Sequence, residues 1–211
     1  MHDYSIRNNP KRAVYYWLSA IAVVITPFLI DFIEWVMQKC PCLKEIYDKV
    51  NFLGFSLSAF LVFTILWFLF TRYVWKLLSK LKIISVPNIS GKWECFGKGK
   101  KYANTNENNE WKGSVQIDQE YEKISIKLTT EQSKSHSYSL VGDIEIRGND
   151  EIILSYMYEN EPFENENGLN QHKGFCRLIF NLANKTAKGR YYTDKDRGSY
   201  GVMELNKVDC Q

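Results

Sequence analysis

The chain has 211 residues, 45% of them hydrophobic and 24% charged, which is enough for one or two domains with a sizeable core. Its net charge of +3 is unevenly spread: residues 1–85 carry ten Lys/Arg against five Asp/Glu, and residues 86–211 carry seventeen against nineteen. A near-neutral C-terminal part speaks against a DNA or RNA groove, and the surplus positive charge fits the flanks of membrane helices.

Two apolar stretches come first. AVYYWLSAIAVVITPFLI, residues 13–30, and FLGFSLSAFLVFTILWFLFT, residues 52–71, contain no charged residue. A helix of ~20 residues is about 30 Å long, the thickness of a bilayer core, so both read as spans, at about 13–37 and 52–71. The first is too long for a signal peptide and has no small-residue cleavage site after it, so it reads as an uncleaved anchor. Pro27 is expected to bend it. Asp31 and Glu34 fall near its far end, at headgroup level. Gly54-x-x-x-Ser58 and Ala59 offer small residues for close helix packing. Seven Lys/Arg flank the two outer ends and three lie in the loop between the spans, which predicts a two-pass protein with both termini cytoplasmic. Residues 72–87 read as a helical exit ending at Pro87.

Strand-like runs follow at 89–96, 111–118, 121–130, 135–147, 151–159, 173–183, 187–193 and 199–208. Turns are expected at Gly148-Asn149-Asp150, at the sequon Asn184-Lys185-Thr186 and from Asp194 to Gly198. Long loops are expected at 97–110 and 159–171. No helix-period segment interrupts the strands. The pattern predicts a membrane α-helical hairpin plus an all-β part, a minimal eight-stranded antiparallel up-and-down β-barrel, with a β-sandwich as the rival. The predicted division is 1–85 for tail, spans and linker, and 86–211 for a cytoplasmic ligand-sensing domain.

The sequence has no Walker-type glycine loop, no G-x-S-x-G elbow, no H-E-x-x-H helix and no Cys/His zinc spacing, so neither an enzyme nor a resident metal or cofactor is expected. Of the five cysteines, Cys40 and Cys42 form a C-P-C step, while Cys95 and Cys176 read as small core residues. Binding candidates concentrate in KGRYYTDKDRGSYG, residues 188–201. There Arg190 and Tyr192 share one strand face, and Tyr191 and Thr193 the other. Arginine grips phosphate with paired hydrogen bonds, and tyrosine stacks on a planar base while its hydroxyl bonds. Arg177, Tyr156 and Trp111 extend that chemistry along other strands, and Lys98 lies in the basic cluster of the 97–110 segment. The predicted ligand-binding set is therefore Arg190, Tyr192, Arg177, Tyr156, Trp111, Lys98 and Thr193. Trp93, in ISGKWECF, reads as structural, closing one end of the core.

A two-helix hairpin, a short linker and a β domain opening on ISGKWECF resemble the two-transmembrane β-barrel effectors of CBASS, the cyclic-oligonucleotide-based antiphage signalling system of bacteria. The resemblance covers essentially the whole chain and rests on architecture. It implies that the domain binds a cyclic di- or oligonucleotide made by a partner nucleotidyltransferase. It further implies self-association and disruption of the inner-membrane lipid by the helices, with growth arrest or cell death. The other readings are a tethered domain binding a lipid or other apolar ligand, and a scaffold.

Overall fold

A computed structural model of the chain describes residues 1–6, 11–39, 58–102, 104–147, 151–161, 171–195 and 197–208. Two compact units emerge, one of Met1–Asn8 with Ser79–Gln211 and one of Asn9–Leu78.

In the second unit a helix spans Lys11–Lys39, with Pro27 inside it. Another helix begins at Ala59, continues through a π turn at Phe70–Val74 and ends with Trp75–Lys80. Ser58 caps it by accepting a hydrogen bond from Leu61 N at 3.2 Å. The apolar windows of these helices, within Arg12–Met37 and Ala59–Lys80, are only 11% and 17% covered by protein. Tyr16, Trp17, Phe28 and Phe60 stand exposed, a surface that lipid rather than water accommodates. Tyr15 stacks on Trp67 at 4.1 Å, so aromatic contact joins the two helices. Gly54 and the Cys40-Pro-Cys42 step lie outside the described residues.

The first unit is a sheet of nine strands: β1 His2–Ile6, β2 Gly91–Lys101, β3 Asn104–Gln119, β4 Lys123–Thr130, β5 His136–Arg147, β6 Glu151–Glu161, β7 His172–Asn181, β8 Thr186–Thr193 and β9 Ser199–Lys207. Their order is β1-β4-β3-β2-β9-β8-β7-β6-β5, and β5 returns to pair with both β1 and β4. Strands β2 to β9 form the antiparallel meander that period-two alternation predicts.

The expected eight-stranded, wholly antiparallel β-barrel is nevertheless not what forms. The sheet is mixed and nine-stranded, because β1 enters between β4 and β5. It is antiparallel to β4 (His2 opposite Ile124) and parallel to β5 (Tyr4 opposite Gly142, Ile6 opposite Ile144). Direct β4–β5 pairing is confined to the segment from Lys127–Tyr138 to Thr129–His136. HDYSI is five residues long, and its partners lie more than a hundred residues away, beyond both spans; no local pattern announces such a strand. The expected loop at 97–110 is also largely strand. Lys98 pairs with Glu110 and Gly99 with Asn109 before an irregular closure at Lys101–Asn104, because polar side chains are tolerated on a ribbon that faces water. The turn at 148–150 lies outside the described residues.

Buried hydrogen bonds hold β1. Gln119 is 2% exposed; its Oε1 accepts from Ile89 N at 2.9 Å, and its Nε2 donates to Tyr4 Oη and Pro87 O, both at 3.0 Å. The Tyr4 hydroxyl in turn points at the carbonyls of Glu120 and Tyr121, each 3.2 Å away. Trp93 is fully buried, donates Nε1–H to Ile89 O at 3.3 Å and meets Phe180 edge-on at 5.2 Å, closing this end of the sheet. Replacing Tyr4 by Ala is expected to destabilise the sheet by about 3 kcal/mol, through lost burial and a stranded Gln119 amide. Urea unfolding of the full chain in detergent, followed by tryptophan fluorescence, measures this.

Candidate ligand cavity

Inward positions alternate along every strand, and their chemistry changes from one end of the sheet to the other. At the Trp93 end they are Ile117, Ile124, Ile144, Ile152, Leu178 and Leu205, packed solid. At the other end, beneath the β2–β3, β4–β5 and β8–β9 connections, lies a cavity of about 300 Å³.

Glycines create its aromatic wall. A Cβ on Gly97 would fall 2.0 Å from the Trp111 ring, one on Gly99 2.5 Å from Tyr191 Oη, and one on Gly174 2.4 Å from the Tyr158 ring. Each inward glycine thus leaves room for a ring lying against backbone. Trp111 Nε1–H donates to Tyr191 Oη at 3.0 Å, fixing both rings at 71° to each other. Tyr156 and Tyr158 complete the wall.

The rest of the lining is polar. Thr130, Ser133 and Ser135 bond one another through their hydroxyls at 2.6–3.0 Å. Ser137 and Asn160 lie beside them, both buried. Thr193 Oγ1 is engaged with Ser199, accepting its N–H at 2.8 Å. Lys100, Lys101, Arg197 and His172 also line the cavity, together with Glu110.

The predicted ligand residues divide between the two faces. Tyr156, Trp111 and Thr193 meet at the cavity. Arg177 and Arg190 are register partners on the exposed outer face. Tyr192 is half-exposed there, stacked on Phe175 at 5.3 Å. Lys98 also points outward, paired with Glu110 at 2.8 Å, which raises its pKa through that hydrogen bond and the adjacent charge. Tyr158, Tyr191, Asn160 and Arg197 were not in the predicted set. Strand parity could have found three of them: Tyr191 shares the face of Thr193, and Tyr158 and Asn160 that of Tyr156.

Burial governs ionisation here. It pushes Tyr156 and Tyr158 well up, and Tyr191 up despite the bond from Trp111. The Cys95 and Cys176 thiols rise from 9.0 to about 12 by the same desolvation. Cys176 Sγ lies 3.8 Å from Met203 Sδ, so the cavity floor is soft and unionised. Among the described residues, no cluster of three His, Cys, Asp or Glu side chains is placed to hold a metal ion.

Ile6, paired with Ile144, and Gly91, opposite Ile117, both lie at the packed end of the sheet. A protein with two apolar helices long enough to span a membrane and a β domain enclosing a polar-and-aromatic cavity is the class these features define. Two family descriptions match the chain: "Cap15, cyclic dinucleotide receptor domain" over residues 84–207 and "Cap15, TM helices" over residues 12–76. The chain belongs to the Cap15 family. It is 31% identical over 140 residues to the CD-NTase-associated protein 15 of Yersinia aleksiciae, an alignment taking in 66% of this chain and 64% of that relative. The chain thus spans a little under two thirds of the relative's length. The family resemblance drawn from the sequence is corrected in its architecture: the two membrane helices stand, and the β domain is the nine-stranded mixed sheet. The receptor match begins at residue 84 and leaves β1 outside it. The family description is that of a receptor, not of an enzyme.

Gly97→Ala is expected to force Trp111 off its backbone seat and to cost about 1–3 kcal/mol of stability, with a shift in tryptophan emission as the readout. Alkaline pH is expected to weaken the sheet. An unfolded chain releases the Cys95 and Cys176 protons near pH 9.0, whereas the fold retains them to about 12. Across that window the unfolded state binds fewer protons, so stability, fully present below it, falls as pH rises. Urea midpoints measured between pH 8 and 11 should decline above about 9, and Cys95→Ala/Cys176→Ala should flatten the decline.

Proposed function

We propose that this protein is an effector of a CBASS antiphage system, whose cavity binds a cyclic dinucleotide made by a partner nucleotidyltransferase. The observation that carries this reading is the meeting of aromatic rings and polar groups around one cavity. The rings offer stacking surfaces for a flat base, and the hydroxyls and amide beside them offer hydrogen bonds to its edge. Lys100, Lys101 and Arg197 supply positive charge for phosphate. The words "CD-NTase-associated" in the relative's name support a nucleotide-synthesising partner.

Ligand binding then drives self-association, and the helices disrupt the inner membrane, so that the infected cell arrests or dies. Only a few kcal/mol of preference for the assembled state is needed to move such an equilibrium, and confinement to one membrane raises the effective concentration of copies. Both termini are cytoplasmic in this reading. It is supported by the excess of basic residues outside the loop between the spans, and by a sheet that takes up strands from before the first span and after the second.

The test is calorimetric titration of the full chain in detergent micelles with a panel of cyclic dinucleotides, with light scattering in parallel and a fatty acid as a second arm. Micromolar or tighter binding by a cyclic dinucleotide with a rise in mass is expected, and Trp111→Ala should weaken it by about 1–3 kcal/mol. A folded protein that ignores every cyclic dinucleotide and takes up the fatty acid would overturn the proposal in favour of a lipid-binding role.

A further inference from the structure

On the inner face near the cavity mouth, Ser137, Asn160 and His172 are register neighbours on β5, β6 and β7. Asn160 lines the cavity and is 5% exposed. Its Nδ2 donates to Ser137 Oγ at 2.9 Å and to the His136 carbonyl at 3.2 Å, which uses both amide hydrogens. That pairing fixes which way the amide points, because a flipped amide would set Oδ1 against the His136 carbonyl, oxygen against oxygen. Oδ1 therefore keeps its place as a pure acceptor. It is buried, and among the described residues no donor reaches it. The neighbouring hydroxyls of Thr130, Ser133 and Ser135 are in a different state, since they satisfy one another. Native structures rarely leave such an acceptor unpaired, and where they do the group commonly awaits a partner.

Resting on the cyclic-dinucleotide reading above, we infer that Asn160 is a specificity-determining residue that accepts a hydrogen bond from the exocyclic amine of a nucleobase. Asn160 lines the cavity and its Oδ1 is buried, and an exocyclic amine is the base-edge donor that projects farthest from the ring. A base carrying a carbonyl in that place would bring oxygen to oxygen and leave both unpaired, which is the condition under which polar sites discriminate most strongly. The cavity therefore favours adenine over hypoxanthine and cytosine over uracil at the base it encloses.

The experiment measures the affinity of the full chain in detergent micelles for two matched pairs: cyclic di-AMP against cyclic di-IMP, and cyclic di-CMP against cyclic di-UMP. In at least one pair the amine-bearing member should bind roughly 10- to 100-fold tighter. Asn160→Leu should bring that ratio within about twofold, by weakening the amine-bearing ligand more than the carbonyl one. Equal affinities within both pairs, or a preference that survives Asn160→Leu, would overturn the assignment alone. No binding by any of the four would overturn the receptor reading and this assignment with it. If Asn160→Leu does not fold, Asn160→Ala, which removes Oδ1 without adding bulk, decides the matter: a reduced ratio supports the role of Asn160, and an unchanged one removes it.

Discussion

The Gln119 side chain joins three segments that are remote in sequence. One amide binds the strand that precedes the first membrane helix, through Tyr4, and the chain that follows the second helix, through Pro87 and Ile89. It does so from the end of β3, sealed from water, where each of its hydrogen bonds has no competing solvent partner and each loss would strand a polar group. The strand before the first helix and the segment after the second are thus held together at this point.

Above that floor the sheet is hollow for a local reason. Along β2 the inward residues run Trp93, Cys95, Gly97, Gly99, so the side chains shrink toward the mouth. Along β6 they run Ile152, Leu154, Tyr156, Tyr158, Asn160, from aliphatic through aromatic to polar. Along β4 they run Ile124, Ile126, Leu128, Thr130. Closure of the sheet sets these gradients side by side, giving a dry, close-packed end that supplies stability and an open end where rings stand over glycine backbone. The packed end tolerates no volume change without strain, whereas the open end holds polar groups that a ligand can satisfy. Stability and recognition are thus separated along one axis.

This separation suits a tethered receptor. The cavity lies at the end of the sheet away from the packed one, so binding of a ligand there leaves the close-packed core undisturbed. The outer-face cations Arg177 and Arg190, adjacent across β7 and β8, lie outside the cavity.

Residue pattern alone determined much of this molecule. Unbroken apolar runs about as long as a bilayer core is thick marked two helices, because no soluble core of this size covers such surfaces. Period-two alternation marked β2 to β9 and the inward side of each, because the side-chain period of a strand is fixed by its backbone. Residue type singles out Tyr156 and Trp111, and closure of the sheet is what brings them to one cavity with Thr193. What only the tertiary structure decided depends on contacts between distant segments. HDYSI gave no signal of its own, and it became a strand because β4 and β5 part to receive it, with Gln119 and Ser139 offering bonds from across the fold. The arginines favoured for phosphate on residue type lie on the outer face, since charge has no bearing on strand parity. Asn160 is one asparagine among many in the sequence; its buried, fixed oxygen, which no donor among the described residues reaches, exists only where Ser137 and the His136 carbonyl take up its hydrogens, a circumstance that no local pattern encodes.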